Sequence, residues 1–110
     1  MGHVLEWEVN ALHAEICAGL ADPKRITILY ELADGPKNVT EIAMALGLPQ
    51  PVVSRHLKVL RERGMVNAHR NGPAVVYSLG DRRLIKALDL LRAVLRDHLV
   101  GRFGLIKQLG

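Results

Sequence analysis

Residues 49–66 read PQPVVSRHLKVLRERGMV. Pro49 and Pro51 stand where a helix begins, and Gly64 stands where it stops. At 100° per residue, Val53, Leu57 and Leu60 fall within about 60° of one another and define an inner face. Arg55 lies almost opposite them, Lys58 and Glu62 flank it, and Gln50 and Ser54 sit toward the N-terminal edge. The polar cluster could be a solvated surface or a set of hydrogen-bond donors aimed at a partner. The segments on either side decide between the two.

Upstream, Asn38 to Glu41 match a capping box, with Asn in place of Ser or Thr. Ile42, Ala43 and Leu46 make the inner face of a short helix that Gly47 ends. Only Leu48 to Gln50 separate this helix from the next, so 38–63 reads as a helix-turn-helix. Downstream, Val66 to Arg70 and Val75 to Leu79 are β-favouring runs around Asn71-Gly72-Pro73, which predicts a hairpin over 66–79. Asp22-Pro23 caps an earlier helix that carries Ile26, Leu29, Leu32 and Ala33 and stops at Asp34-Gly35-Pro36. A first helix over 4–20 has the stripe Leu5, Val9, Leu12, Ile16 and Leu20. A last helix over 81–100, capped by Asp81, has the stripe Leu84, Leu88, Leu91, Leu95 and Leu99. The tail beyond Gly101 reads as frayed.

The predicted fold is mainly α with a β-hairpin wing, in the order α-α-α-α-β-β-α, forming one domain over 1–110. The first and last helices carry more aliphatic surface than such a domain needs for its own core. A homodimer built on them would bury it.

The chain has 110 residues and a formal charge of +4, unevenly placed. Residues 1–22 hold Glu6, Glu8, Glu15 and Asp22 with no Lys or Arg, whereas 49–79 hold five basic groups against Glu62. A basic half suits a polyanionic partner. A helix fits the major groove of B-DNA, and helix-turn-helix proteins present the N-terminal part of the second helix to base edges. Gln50, Ser54, Arg55 and Lys58 are therefore candidate DNA contacts, with Arg70 at the wing. Cys17 is the only cysteine, so neither an internal disulfide nor a cysteine-based zinc site forms within one chain. No run of 18 apolar residues predicts a membrane span, and no signal-peptide pattern opens the chain, so a cytoplasmic location is expected. A glycine-rich phosphate loop, a catalytic carboxylate pair and a nucleophile-base arrangement are all missing, so no enzyme is expected. The alternative to a DNA-binding regulator is a winged-helix module for protein contact or dimerisation.

The stretches ADPKRITILYEL, NVTEIAMALGL, QPVVSRHLKVLRERGMV and RNGPAVVYSL together resemble the ArsR/SmtB family of winged-helix repressors. The resemblance covers about residues 9–100, and the S-R-H-L run at Ser54 to Leu57 is its most characteristic part. It implies a homodimer that represses transcription from an inverted-repeat operator. Gln50, Ser54, Arg55 and His56 carry over as candidate DNA-contact positions, and His56 also suits a packing role. Pro49 departs from the serine cap common there. Family members commonly release DNA on binding a metal ion or arsenical, but NVTEIAMALGL has neither Cys nor His. On the last helix, the other common metal location, Asp89, Asp97 and His98 could be joined by His3, Glu6, Glu8 and His13 of an opposing first helix. Zinc or nickel accepts such ligands, yet a solvated helix end is the simpler expectation and no cofactor is predicted. Cys17, beside Ile16, is expected to be a small buried hydrophobe, with redox sensing as the alternative. The inducer is left open among metals, reactive sulfur or oxygen species, a small organic ligand, or none.

Overall fold

Three helix starts organise the chain, and each is fixed by a side-chain cap. The computed structural model describes residues 2–109, with side chains through Arg102. Asp22 accepts from the Lys24 backbone N–H at 2.8 Å and opens α2 (Pro23–Ala33). Asn38 and Glu41 form a reciprocal capping box at α3 (Val39–Leu46), with bonds of 2.8 and 3.0 Å. Asp81 accepts from the Arg83 N–H at 2.8 Å and opens α5 (Arg83–Leu109). Each cap satisfies backbone donors that the first turn of a helix leaves without partners.

The recognition segment forms α4 (Gln50–Glu62). Its N-cap is Pro49, which has no side-chain acceptor to offer. The Pro49 carbonyl instead accepts from the N–H groups of Val52 and Val53 at 3.1 and 3.2 Å. Gly64 ends the helix with φ of 72°, and the Met65 N–H closes back on the Leu60 carbonyl at 2.9 Å. Only glycine adopts that left-handed turn without strain.

The wing is β2 (Val66–Asn71) antiparallel to β3 (Ala74–Leu79), with Asn71 opposite Ala74. Gly72 at φ 64° followed by Pro73 fits a type II′ turn, because Pro cannot take the positive φ that type I′ needs at its second position. A third strand was not expected. The two residues of β1 (Lys37–Asn38) pair with Tyr77 and Val76 of β3, giving the order β1-β3-β2. Architecture and order are those of a winged helix-turn-helix.

One core joins these elements. Ile28, Leu29 and Leu32 of α2 meet Ile42 of α3, Val53, Leu57 and Leu60 of α4, and Met65 and Val66 at the base of the wing. Leu88 brings the start of α5 onto the same core. The amphipathic 3–4 spacing of α2 and α4 is what aims these side chains inward.

The outer helices behave differently. α1 (Gly2–Leu12) has no buried residue, and Leu5, Val9 and Leu12 are at least half exposed. It runs on through a widened π turn, His13–Cys17, before Ile16 and Leu20 reach the core. On α5, Leu91 and Leu95 are also more than half exposed. The last helix continues through Gly101 to Leu109 instead of fraying. A single glycine costs a helix about 1 kcal/mol and ends it only when it turns left-handed.

Leu57 is fully buried. Leu57→Ala is expected to lower unfolding free energy by about 2–5 kcal/mol, read from urea denaturation.

Candidate nucleic-acid interface

The inward residues of α4 determine which of its side chains face out. Val53, Leu57 and Leu60 are fully buried against α2 and α3. Gln50, Ser54, Arg55 and Lys58 are then exposed, with Arg61 adding a third cation that the spacing argument did not single out. Among the described residues, Arg55, Lys58, Arg61 and Arg70 take part in no ion pair. Arg70 is exposed on β2, opposite Val75 and one residue from the pair that closes the turn. The result is an unneutralised cationic surface on a helix of groove-fitting width, beside a short hairpin.

His56 does not belong to that surface. It is 7% exposed and lies on the inward side with Val53 and Leu60 at spacings of 3 and 4. Its Nδ1 faces Arg25 Nη1 at 3.4 Å, and its Nε2 faces Asp22 Oδ2 at 3.9 Å. A guanidinium can only donate, so Nδ1 accepts and the imidazole is neutral with its proton on Nε2. Of the two roles expected of His56, DNA contact and packing, its burial supports packing. A polar ring is tolerated there because both nitrogens face groups of the right kind.

Burial pushes the His56 pKa below its ordinary 6.5. The Asp22 carboxylate opposes this shift, while Arg25, Arg55 and Lys24 add to it. Asp22 itself is held below its ordinary 3.8, chiefly by the Lys24 N–H that it accepts.

Two arginines that the sequence reading passed over complete the surroundings of α4. Arg25 donates from Nε to the Gly19 carbonyl at 2.8 Å and from Nη2 to the Ala18 carbonyl at 3.1 Å. Arg63 donates from Nη1 to the carbonyls of Ala14 and Glu15 at 2.6 and 3.1 Å. A signal was present for Arg63: Val53, His56, Leu60 and Arg63 continue one 3–4–3 stripe.

The candidate metal ligands do not converge within one protomer. His3, His13, Asp97 and His98 are exposed, and among the described residues no three His, Cys, Asp or Glu side chains come together to hold an ion. Asp89 accepts from the Tyr30 hydroxyl at 2.6 Å and pairs with Arg92 at 3.6 Å, with Arg92 also lying over the Tyr30 ring. Cys17 is exposed, not buried. Ile16 packs against the core, and Cys17, one residue further round the helix, faces solvent.

A capped helix-turn-helix, an outward cationic face and a wing define a transcriptional regulator of the winged-helix class. Residues 22–68 match the family model for bacterial regulatory proteins of the arsR family. The HTH-type transcriptional regulator NmtR of Mycobacterium tuberculosis is 41% identical over 85 residues, covering 77% of this chain and 71% of that protein. The HTH-type transcriptional repressor SmtB of the same organism is 43% identical over 77 residues, covering 70% of this chain and 57% of that protein. The homodimeric winged helix-turn-helix DNA-binding domain of Mb0332 from Mycobacterium bovis superposes with a TM-score of 0.74 at 29% identity, covering 86% of this chain and 87% of that one. The chain belongs to the arsR family. Among the described residues, no helix is long and apolar enough to cross a membrane.

The lowered His56 pKa has a consequence for stability. The fold favours the neutral ring, so this contribution is fully present above pH 6.5. It is lost as pH falls below 6.5 and through the folded-state value. The cap at Asp22 fails only at still lower pH, below 3.8. His56→Gln is expected to flatten the decline that begins below pH 6.5, measured as unfolding free energy against pH.

Proposed function

We propose that this chain is a homodimeric repressor that binds an inverted-repeat operator in double-stranded DNA and acts by binding, not catalysis, in the cytoplasm. The exposed side of α4 carries the proposal: Arg55 and Lys58 stand opposite three fully buried aliphatics, with Ser54 on the flank and Gln50 at the exposed N-terminal edge. With α4 in the major groove, Gln50, Ser54 and Arg55 meet base edges or phosphates, and Lys58 meets phosphate. Arg70 reaches the backbone or the adjacent minor groove from the wing. His56 orients the helix from behind.

Dimerisation is supported by the bare aliphatic surface of the outer helices. Leu5 and Trp7 of α1 and Leu91, Val94 and Leu95 of α5 are all more than half exposed in the protomer. Apolar surface on that scale marks an association site. The Mb0332 domain is homodimeric, which supports a dimer here as well. Two-fold symmetry would set two α4 helices about one DNA turn apart. No thiolate sensor is proposed on α3, whose sequence VTEIAMAL has no Cys or His.

Replacing Ser54 and Arg55 together by Ala should weaken operator binding about 10- to 100-fold while leaving dimer mass and helical content unchanged. A double variant that binds as tightly as its parent would remove these residues from the interface. Lys58→Ala should keep sequence preference and flatten the log–log salt dependence by about two per dimer. Failure of the parent to enrich any duplex from a random pool at low salt would instead favour a protein-contact module. Leu95→Glu is expected to yield monomers by sedimentation and to lose operator binding, with the protomer core still folded.

A further inference from the structure

We propose that Arg63, together with Arg25, makes the π turn after α1 a joint through which the dimerisation helix sets the position of the recognition helix. On this view Arg63 is a positioning residue for operator recognition. The inference rests on the proposed DNA-binding function of α4.

Gly2–Leu12 has no buried residue. Its first links to the core are Ile16 and Leu20, within and just after the π turn. In that turn the Ala18 N–H bonds to the His13 carbonyl, one residue further back than in an α-helix. Carbonyls displaced from the regular ladder can accept from outside the helix. Arg63 takes that role inside the turn, and Arg25 takes the carbonyls that the helix end just after it leaves without partners. Arg63, directly after α4, holds the carbonyls of Ala14 and Glu15, and its Nη1 lies 4.0 Å from the Glu15 carboxylate. Arg25 holds the carbonyls of Ala18 and Gly19 and presents its remaining Nη1 to His56 of α4.

The recognition helix is thereby tied to one short stretch at two points, His56 and Arg63, seven residues apart. Val53, Leu57 and Leu60 fix α4 on the core, and the two ties link that fixed helix to the end of the segment that follows α1. The joint is also tightly packed. A Cβ on Gly19 would lie 2.6 Å from Met65 Sδ and 3.1 Å from Arg63 Cδ, so the stem of Arg63 runs directly over the glycine. A planar, charged fork suits such multiple donation, whereas an ammonium group offers a point charge on a flexible stem. The Arg63 side chain is 29% exposed, so water can replace its bonds when it is removed. The main loss is then in geometry. In a dimer joined through α1, this joint determines the spacing between the two α4 helices, which the operator reads as half-site separation.

The test compares the parent with Arg63→Gln and Arg63→Lys, using a duplex that the parent enriches from a random pool and a scrambled duplex as control. With Arg63→Gln, affinity for the selected duplex should fall about tenfold or more. Affinity for the scrambled duplex, dimer mass and helical content should hold. Arg63→Lys should fall between. A second measurement uses no DNA: spin labels at Glu62→Cys in a Cys17→Ser background report the distance between the two α4 helices. The parent should give a narrow distribution, and both Arg63 variants a broader or shifted one. Parental discrimination with a parental distance distribution, in either folded variant, overturns the inference. If Arg63→Gln does not fold, Arg63→Lys decides by the same two readouts. A parent that enriches no duplex would instead overturn the functional reading, and the distance measurement would still decide on the joint.

Discussion

The rotation of α4 about its own axis is the constraint on which the rest of the molecule depends. Val53, Leu57 and Leu60 have no solvent exposure, and turning the helix to hide its opposite face would place Arg55 and Lys58 in an apolar core. Burying an unpaired cation costs far more than the fold can offset. The arrangement of charge outside therefore follows from hydrophobic packing inside. The residues proposed to meet DNA need no interaction of their own to be held outward. This leaves them unpaired and available for a polyanion.

His56 shows how a polar residue can take part in that packing. The ring occupies a core position because Arg25 and Asp22 face its two nitrogens from the start of α2. The same Arg25 holds the end of the segment that follows α1. One side chain thus touches three parts of the structure: the approach to the outer helix, the first turn of α2 and the middle of α4. Arg63 repeats the pattern from the far end of α4. The protomer combines a dry aliphatic core with a polar seam along one side of the recognition helix.

Most of the fold was legible in the sequence because its signals are local. Asp22-Pro23, the Asn38–Glu41 box and Asp81 announce helix starts through groups only two or three residues apart, and Gly47 and Gly64 announce stops. The wing followed from β-favouring runs around a turn. The features that were not legible depend on distant partners. β1 is two residues long and exists because β3 pairs with it, so no periodicity could reveal it. His56 looked like another donor on a basic helix, although its spacing from Val53 and Leu60 placed it inward; its partners Arg25 and Asp22 were what the sequence did not reveal. Cys17 was expected as a small buried hydrophobe because it follows Ile16, but one residue on along a helix points about 100° away, and Cys17 is exposed. The outward positions of Arg55 and Lys58 were readable from the wheel, and Gln50 and Ser54 from their place at the N-terminal edge, whereas the arginine bonds to backbone carbonyls were not, since carbonyls carry no sequence signature.

The bare surface of α1 also bears on how much protein the system requires. α1 buries nothing within the protomer, and helices in proteins draw most of their stability from packing, so assembly supplies much of the free energy that keeps α1 ordered. If two copies provide the two recognition helices, operator occupancy rises with the square of protomer concentration until dimers predominate. The concentration at which repression sets in is then governed by aliphatic side chains on α1 and α5 that touch no nucleotide. Trimming those side chains would move the threshold of the switch while leaving its DNA sequence preference intact.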